Sequence, residues 1–380
     1  MNHIYIAHTP YHILISCGLA ILNDNSGGKY LIIISDFENS HFFYQTILNW
    51  EKNPFTEIKL LSGRFNSKVE TNIGKAKFLI NNIIILKRFF KKRLAFKLCK
   101  AFIFNDNRPE GQVISFMNSK QDGINIYVED GSAAYVNYII PSISNTEYIL
   151  AKYLLGSWYE QTRILGTYKY IHKIMVFRPE IIREDLRYQK IEKIPDFVFN
   201  EIDVNFIDIL LENYGISSEV LKFDCIVILP HSEFITKLNF LNFKNTYNEL
   251  YSLLKENFNF IGIKYHPREV NKNFLENINN KKNEDIPNTL PLEIFWLALK
   301  RNPPKVIIGD ISTALLTCSL IIQEKTQIIS TVKILGLPED YSQFYHIFER
   351  LDIEMPETSA DLFTSLQRIC SEYYDHSILP

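Results

Sequence analysis

Six short apolar runs, most of them followed by a segment of helical periodicity, constrain this chain more than any other feature. IYIA (4–7) leads into HILISCGLAIL, YLIII (30–34) ends at Ser35 and Asp36, and INIYV (124–128) stops at two adjacent carboxylates. CIVIL (225–229), FIGIKY (260–265) and VIIG (306–309) repeat the theme in the second half. Strands alternating with helices imply parallel sheets covered on both faces. Such sheets bind ligands beyond the carboxyl ends of their strands. The residues just after each run are therefore the first candidates: Thr9-Pro10-Tyr11, Asp36, Glu129-Asp130-Gly131, Pro230-His231-Ser232, His266-Pro267-Arg268, and Asp310 to Thr313.

With 380 residues the chain has room for two domains of ordinary size. The mixed, charged stretch QKIEKIPDFVFNEIDVNFIDILLENYGISSEV separates the two sets of runs. The expected organisation is an α/β domain over 1–200, a linker over 201–222 and a second α/β domain over 223–380, with a cleft between them. A formal net charge of −2 argues against adhesion of the whole protein to nucleic acid or to an anionic membrane, leaving any such contact to a local patch. Five scattered cysteines lack metal-ligand spacing and suit a reduced, cytoplasmic setting. The N-terminus has no basic leader, and His8, Pro10, Tyr11 and His12 interrupt its apolar run, unlike a signal peptide. No stretch approaches the ~20 apolar residues of a membrane span. One charge run stands apart: residues 75–100 carry nine Lys or Arg and no acid, interleaved with aliphatic and aromatic residues. It reads as a solvated basic amphipathic helix, or as a patch for the inner membrane face or an anionic glycan.

Each polar cluster has a structural and a chemical reading. Asp-Gly after a β-type run is a hairpin signal. Equally, a carboxylate at a strand end is a general base when its neighbour tunes it, and Gly131 lets the backbone turn and a substrate approach. His266 precedes Pro267, which confines it to extended geometry, and Lys264 and Arg268 flank it, so the local field favours an anion. Ser312 or Asp310 suits the N-cap of a helix, yet hydroxyls and free N–H groups at a helix start also form a phosphate site. Glu293, early in a helical segment, either complements the helix dipole or accepts from two ribose hydroxyls. No GxGxxG, P-loop or DxD string is present.

Taken in order, Glu129-Asp130-Gly131, His266-Pro267 and Ser312-Thr313 resemble the D/E-D/E-G, HP and paired Ser/Thr motifs of bacterial sialyltransferases. YVEDGSAAYVNYI looks like the Pasteurella- and Photobacterium-type enzymes and the acidic motif of bacterial polysialyltransferases. IYIAHTPYHILIS and GLPEDYSQFYHIFERLDI look most like glycosyltransferase family 52, the lipooligosaccharide sialyltransferases. The resemblance implies a GT-B type fold, two Rossmann-like domains facing across a cleft, and inverting transfer of sialic acid from CMP-sialic acid without a metal or other cofactor. It implies Asp130 as general base, with Glu129 in reserve, and His266 as donor or acid to the leaving phosphate. Ser312 and Thr313 would hold that phosphate, with Pro267 and Lys264 beside it, and Glu293 the ribose. Pro230, His231, Ser232 and Tyr341 would line the nucleotide pocket. Thr9, Pro10, Tyr11, Gly131 and Ser132 would form the acceptor side. The acceptor would be a surface glycan containing galactose, in lipooligosaccharide or capsule, and the enzyme a homodimer. Two alternatives stay open: a transferase of the same fold with another nucleotide sugar, and a non-catalytic partner in surface-polysaccharide assembly.

Overall fold

The computed structural model describes residues 1–23, 27–63, 72–217, 221–231, 240–269, 283–322, 326–336 and 342–376. The chain divides into two compact units, Met1–Leu210 and Leu211–Pro380. The division falls inside the stretch expected to be a linker. At its start, Trp50 Nε1 donates to Asp203 at 2.7 Å and Phe206 packs on the Trp50 ring, so this part belongs to the first unit.

The first unit runs β1 (Asn2–Ala7), α1 (Pro10–Leu22), β2 (Lys29–Ile34), α2 (Ser40–Asn49), β3 (Glu57–Leu61), α3 (Asn72–Arg93), β4 (Cys99–Ile103), α4 (Pro109–Ser119), β5 (Ile124–Val128), α5 (Asn145–Leu155), β6 (Lys173–Val176), β7 (Lys190–Lys193) and α6 (Val204–Glu212). Its sheet has seven strands in the order β3-β2-β1-β4-β5-β6-β7. Every pairing is parallel. The strand order reverses between β1 and β4, which makes their carboxyl ends the switch point where such sheets open a crevice.

Near-continuous apolar runs suit strands covered on both faces. In β2, Tyr30 to Ile34 are all buried, as are Ile4 to Ala7 in β1. β5 alternates in sequence, but its polar Asn125 is buried too. The Asn125 amide donates to Ser115 O, Ser119 Oγ and Tyr170 O, which satisfies a polar group no solvent reaches. The Asp-Gly after β5 is not a hairpin: β5 lies between parallel neighbours β4 and β6, and the chain leaves it through a 3-10 turn at Gly131–Ala134.

The second unit runs β8 (Cys225–Ile228), α7 (Phe240–Asn257), β9 (Ile261–Lys264), β10 (Asn283–Ile286), α8 (Leu292–Leu299), β11 (Val306–Gly309), α9 (Thr313–Ile321), β12 (Gln327–Ser330), α10 (Val332–Leu335), α11 (Gln343–Arg350) and α12 (Ser359–His376). Its five strands, again all parallel, are ordered β10-β9-β8-β11-β12, with the reversal between β8 and β11. Tyr247, Leu250 and Leu254 of α7 and Leu362 and Leu366 of α12 cover one face of that sheet. Among the described residues, no helix is long and apolar enough to cross a membrane. All five cysteines are free and buried.

Candidate active site

The two carboxylates that end β5 meet opposite surroundings. Glu129 is fully buried. Its Oε1 accepts from Tyr11 Oη at 3.0 Å, and its Oε2 accepts from the Tyr135 hydroxyl and from Phe177 N at 2.9 Å. Burial pushes its carboxyl up to about 7, against the pull of those three donors. Glu129 thus ties α1, the turn after β5 and the end of β6 together, and no face of it is open to a substrate. Replacing it by Ala removes the acceptor of two buried phenol O–H groups and an N–H, so Glu129→Ala is expected to cost about 3 kcal/mol of stability. The urea midpoint measures this; an unchanged midpoint would deny Glu129 the structural role.

Asp130, one residue on, points the other way, with a quarter of its side chain (25 %) exposed. Its Oδ1 pairs with His12 Nε2 at 2.8 Å and its Oδ2 accepts from Asn105 Nδ2 at 3.2 Å. The placement of His12 follows from local sequence. Thr9 caps α1, accepting from His12 N at 3.2 Å, and Pro10 occupies the first helical turn. One turn of chain then sets His12 over Phe104, the rings stacked 4.4 Å apart. The main-chain N–H of His8 donates to His12 Nδ1 at 3.2 Å, which leaves the ring proton on Nε2, facing Asp130. Burial lowers the His12 pKa despite the nearby carboxylate, so the imidazole is a neutral donor at pH 7. Burial also works against ionisation of Asp130, but His12, then His8 and then Asn105 outweigh it and hold the carboxyl below its usual range. The result is a carboxylate that stays deprotonated with a quarter of its side chain open to solvent.

A second pair adjoins this one. His8 Nδ1 lies 3.1 Å from Asp36 Oδ2, and Arg108 Nη2 donates to the same oxygen at 3.0 Å. Arg108 and Asn105 share the turn after β4, where Arg108 N donates to Asn105 O at 3.3 Å. Arg108, Asp36, His8, His12, Asp130 and Asn105 therefore form one connected cluster at the carboxyl ends of β1, β2, β4 and β5. Gly131 takes a left-handed φ of 58° and its missing Cβ would meet nothing within 4 Å, so backbone conformation rather than crowding requires glycine there. Ser132 follows, half-exposed, in the 3-10 turn. Thr9, Pro10 and Tyr11 serve the site from beneath: a cap, a helix start and a hydrogen bond to Glu129. Sequence reading passed over His12, His8, Asn105 and Arg108. The available signal was a histidine pair four apart, just after β1 and straddling the start of α1.

In the second unit, β9, β8 and β11 are neighbours, so His266, His231 and Ser312 follow adjacent strand ends. The rings of His231 and His266 lie 5.1 Å apart. His266 Nδ1 accepts from Arg268 N at 3.2 Å, so here too the ring proton sits on Nε2. Burial, with His231 and Arg268 adding to it, lowers the His266 pKa and leaves a neutral N–H donor. Ser312 caps α9, accepting from Ala314 N at 3.1 Å, which leaves its own O–H to donate; Thr313 is exposed beside it. Pro230 is buried and Pro267 exposed.

Lys264 departs from the expectation. Its side chain is buried, and Nζ donates to the carbonyls of Pro287, Asn288 and Leu290, so it cannot flank an anion; it pins the loop that leads into α8. Glu293, in the first turn of α8, is half-buried, and its carboxyl is raised above the ordinary range by that burial. Ser232 and Tyr341, with most of the segment around Tyr341, lie outside the described residues.

Comparison with known proteins defines the class. A UDP-glucosyltransferase from Polygonum tinctorium is similar in structure over 98 % of this chain and 93 % of its own, with TM-score 0.52 and 8 % identity. Arabidopsis thaliana UGT89C1 is similar over 92 % and 82 %, with TM-score 0.50 and 9 % identity. TcCGT1, solved with UDP, is similar over 96 % and 90 %, with TM-score 0.50 and 9 % identity. The fold is that of GT-B glycosyltransferases, built from two Rossmann-like units. No curated protein matches the sequence. The pattern of the Alpha-2,8-polysialyltransferase (POLYST) family matches residues 17–331, and the chain belongs to that family. It is a glycosyltransferase of the sialyltransferase type.

Proposed function

We propose that this enzyme transfers sialic acid from CMP-sialic acid to a hydroxyl of a bacterial surface glycan, with inversion at the anomeric carbon. The observation that carries the reading is Asp130: a deprotonated, partly open carboxylate at a strand end, fixed by two neutral donors. The acceptor oxygen forms a bond to the anomeric carbon as the bond from that carbon to the CMP phosphate breaks. The bonding pair leaves with the phosphate, and the hydroxyl proton passes to Asp130. His12 and Asn105 hold the base but contact no substrate atom; they are positioning residues.

The phosphate falls to the second unit. His266 Nε2–H, the Ser312 and Thr313 hydroxyls and the start of α9 together neutralise a departing monophosphate. A monophosphate asks less of a site than a diphosphate, so this set suffices without a metal. Glu293, with its raised pKa, suits the ribose hydroxyls as a hydrogen-bonding partner.

A nucleotide screen tests the donor. CMP is expected to raise the melting temperature while UDP and GDP do not, and incubation with CMP-sialic acid and a galactoside or sialoside acceptor is expected to release CMP. Stabilisation by UDP or GDP instead would assign another nucleotide sugar. Catalytic silence with every donor, joined to indifference to Asp130→Asn, would leave only an assembly role.

A further inference from the structure

We infer that the first unit docks on an anionic lipid surface through the exposed apolar face of α5 together with the basic face of α3. α5 buries Leu155 and rests the Tyr148 ring on Tyr159, with Ala151 half-buried. Its exposed residues include four large apolar ones, with Ile149 67 % exposed, Tyr153 85 % and Leu150 and Leu154 beside them; Lys152 is exposed among them. The approach to the helix is similar, with Tyr138, Ile139 and Ile143 exposed. A soluble surface rarely gathers so many large apolar side chains in so short a stretch. The helix carries one acid, Glu147, which accepts from Ser144 in a capping box at the amino end, a turn or more away from Tyr153 and Leu154.

The occupant follows from what lies alongside. Lys87 Nζ sits 5.8 Å from the ring centroid of Trp158, which places the middle of α3 against the segment leaving α5. α3 buries Ile83, Leu86, Phe89 and Phe90 and turns Arg88, Lys91 and Lys92 outward. Among the described residues those three cations have no carboxylate partner. An apolar helix face edged by unpaired cations matches a bilayer surface with negative headgroups. An anionic glycan would satisfy the charges of α3 but leave Ile149, Leu150 and Leu154 in water. A second copy of this chain would cover the apolar residues but bring the same cations with it.

This inference goes beyond the transfer reaction and does not depend on the donor. Its test is cosedimentation of the full chain with phosphatidylglycerol/phosphatidylcholine vesicles and with phosphatidylcholine alone. Binding to the anionic vesicles only is expected, weakening as salt is raised. The Ile149→Ser/Tyr153→Ser variant is expected to bind about tenfold more weakly. The Arg88→Gln/Lys91→Gln/Lys92→Gln variant is expected to lose on the order of 100-fold. Both should keep wild-type melting temperature and transfer to a soluble acceptor. No binding by wild type, or an α5 variant that binds like wild type, overturns the inference. So does an α5 variant that turns a dimer into a monomer at unchanged vesicle binding, because the face would then belong to a second copy.

Discussion

Asp130→Asn is expected to lower kcat about a thousandfold while CMP still raises the melting temperature as it does in wild type. The amide fills the same space beside His12 and Asn105, so the fold should be unchanged and the loss should fall on proton acceptance alone. Near-normal transfer by this variant would remove Asp130 from the reaction. The same geometry sets a pH dependence. Asp130 has a pKa below the usual carboxylate range, so the base is ready throughout neutral and mildly acidic solution and activity fails only as pH drops through that low value. The groups around it are His12 from α1, His8 from the end of β1, Asn105 and Asp106 after β4, and Tyr127 and Glu129 on its own strand. In His12→Phe the carboxylate loses its nearest donor while its burial persists. The acid limb of kcat/KM should therefore move to higher pH. A merely structural role for His12 would lower the rate equally at every pH and leave that limb in place.

His266→Ala is expected to cost about a hundredfold in kcat and to weaken CMP binding, because one N–H on the leaving phosphate is lost. His266→Gln, whose amide can still donate, should recover part of both. The locked tautomer sharpens this expectation. A neutral imidazole serves as a hydrogen-bond donor, so wild-type kcat should not decline as pH rises through 6.5, the ordinary imidazole value. A decline there that disappears in His266→Ala would make His266 a cationic acid. Unchanged rate and CMP affinity in the alanine variant would remove it from the donor site. His12 and His266 are thus prepared in the same manner, each receiving a main-chain N–H on Nδ1 so that the ring proton stays on Nε2.

Much of the architecture was legible locally. Apolar runs of four to six residues placed six of the twelve described strands, because a parallel strand covered on both faces needs unbroken apolar sequence. The rule about carboxyl ends then selected the stretches that carry the site. Local reading was weaker where chemistry depends on what a side chain meets. Lys264, beside a His-Pro, read as an anion ligand and instead binds three carbonyls of its own unit. His12 read as an interruption in an apolar helix and instead holds the candidate base.

By itself the sequence determined two parallel α/β units and the strand ends that carry a carboxylate dyad in the first unit and a His-Pro and a Ser-Thr in the second. Those follow from periodicity and chain direction, which neighbouring residues specify among themselves. Only the tertiary structure decided which carboxylate faces outward. Glu129 meets Tyr11 and Asp130 meets His12, each across 118 positions of chain. Adjacent residues in extended backbone point to opposite sides, so one becomes a buried tie and the other a partly open carboxylate, and the partners that divide them come from another part of the fold.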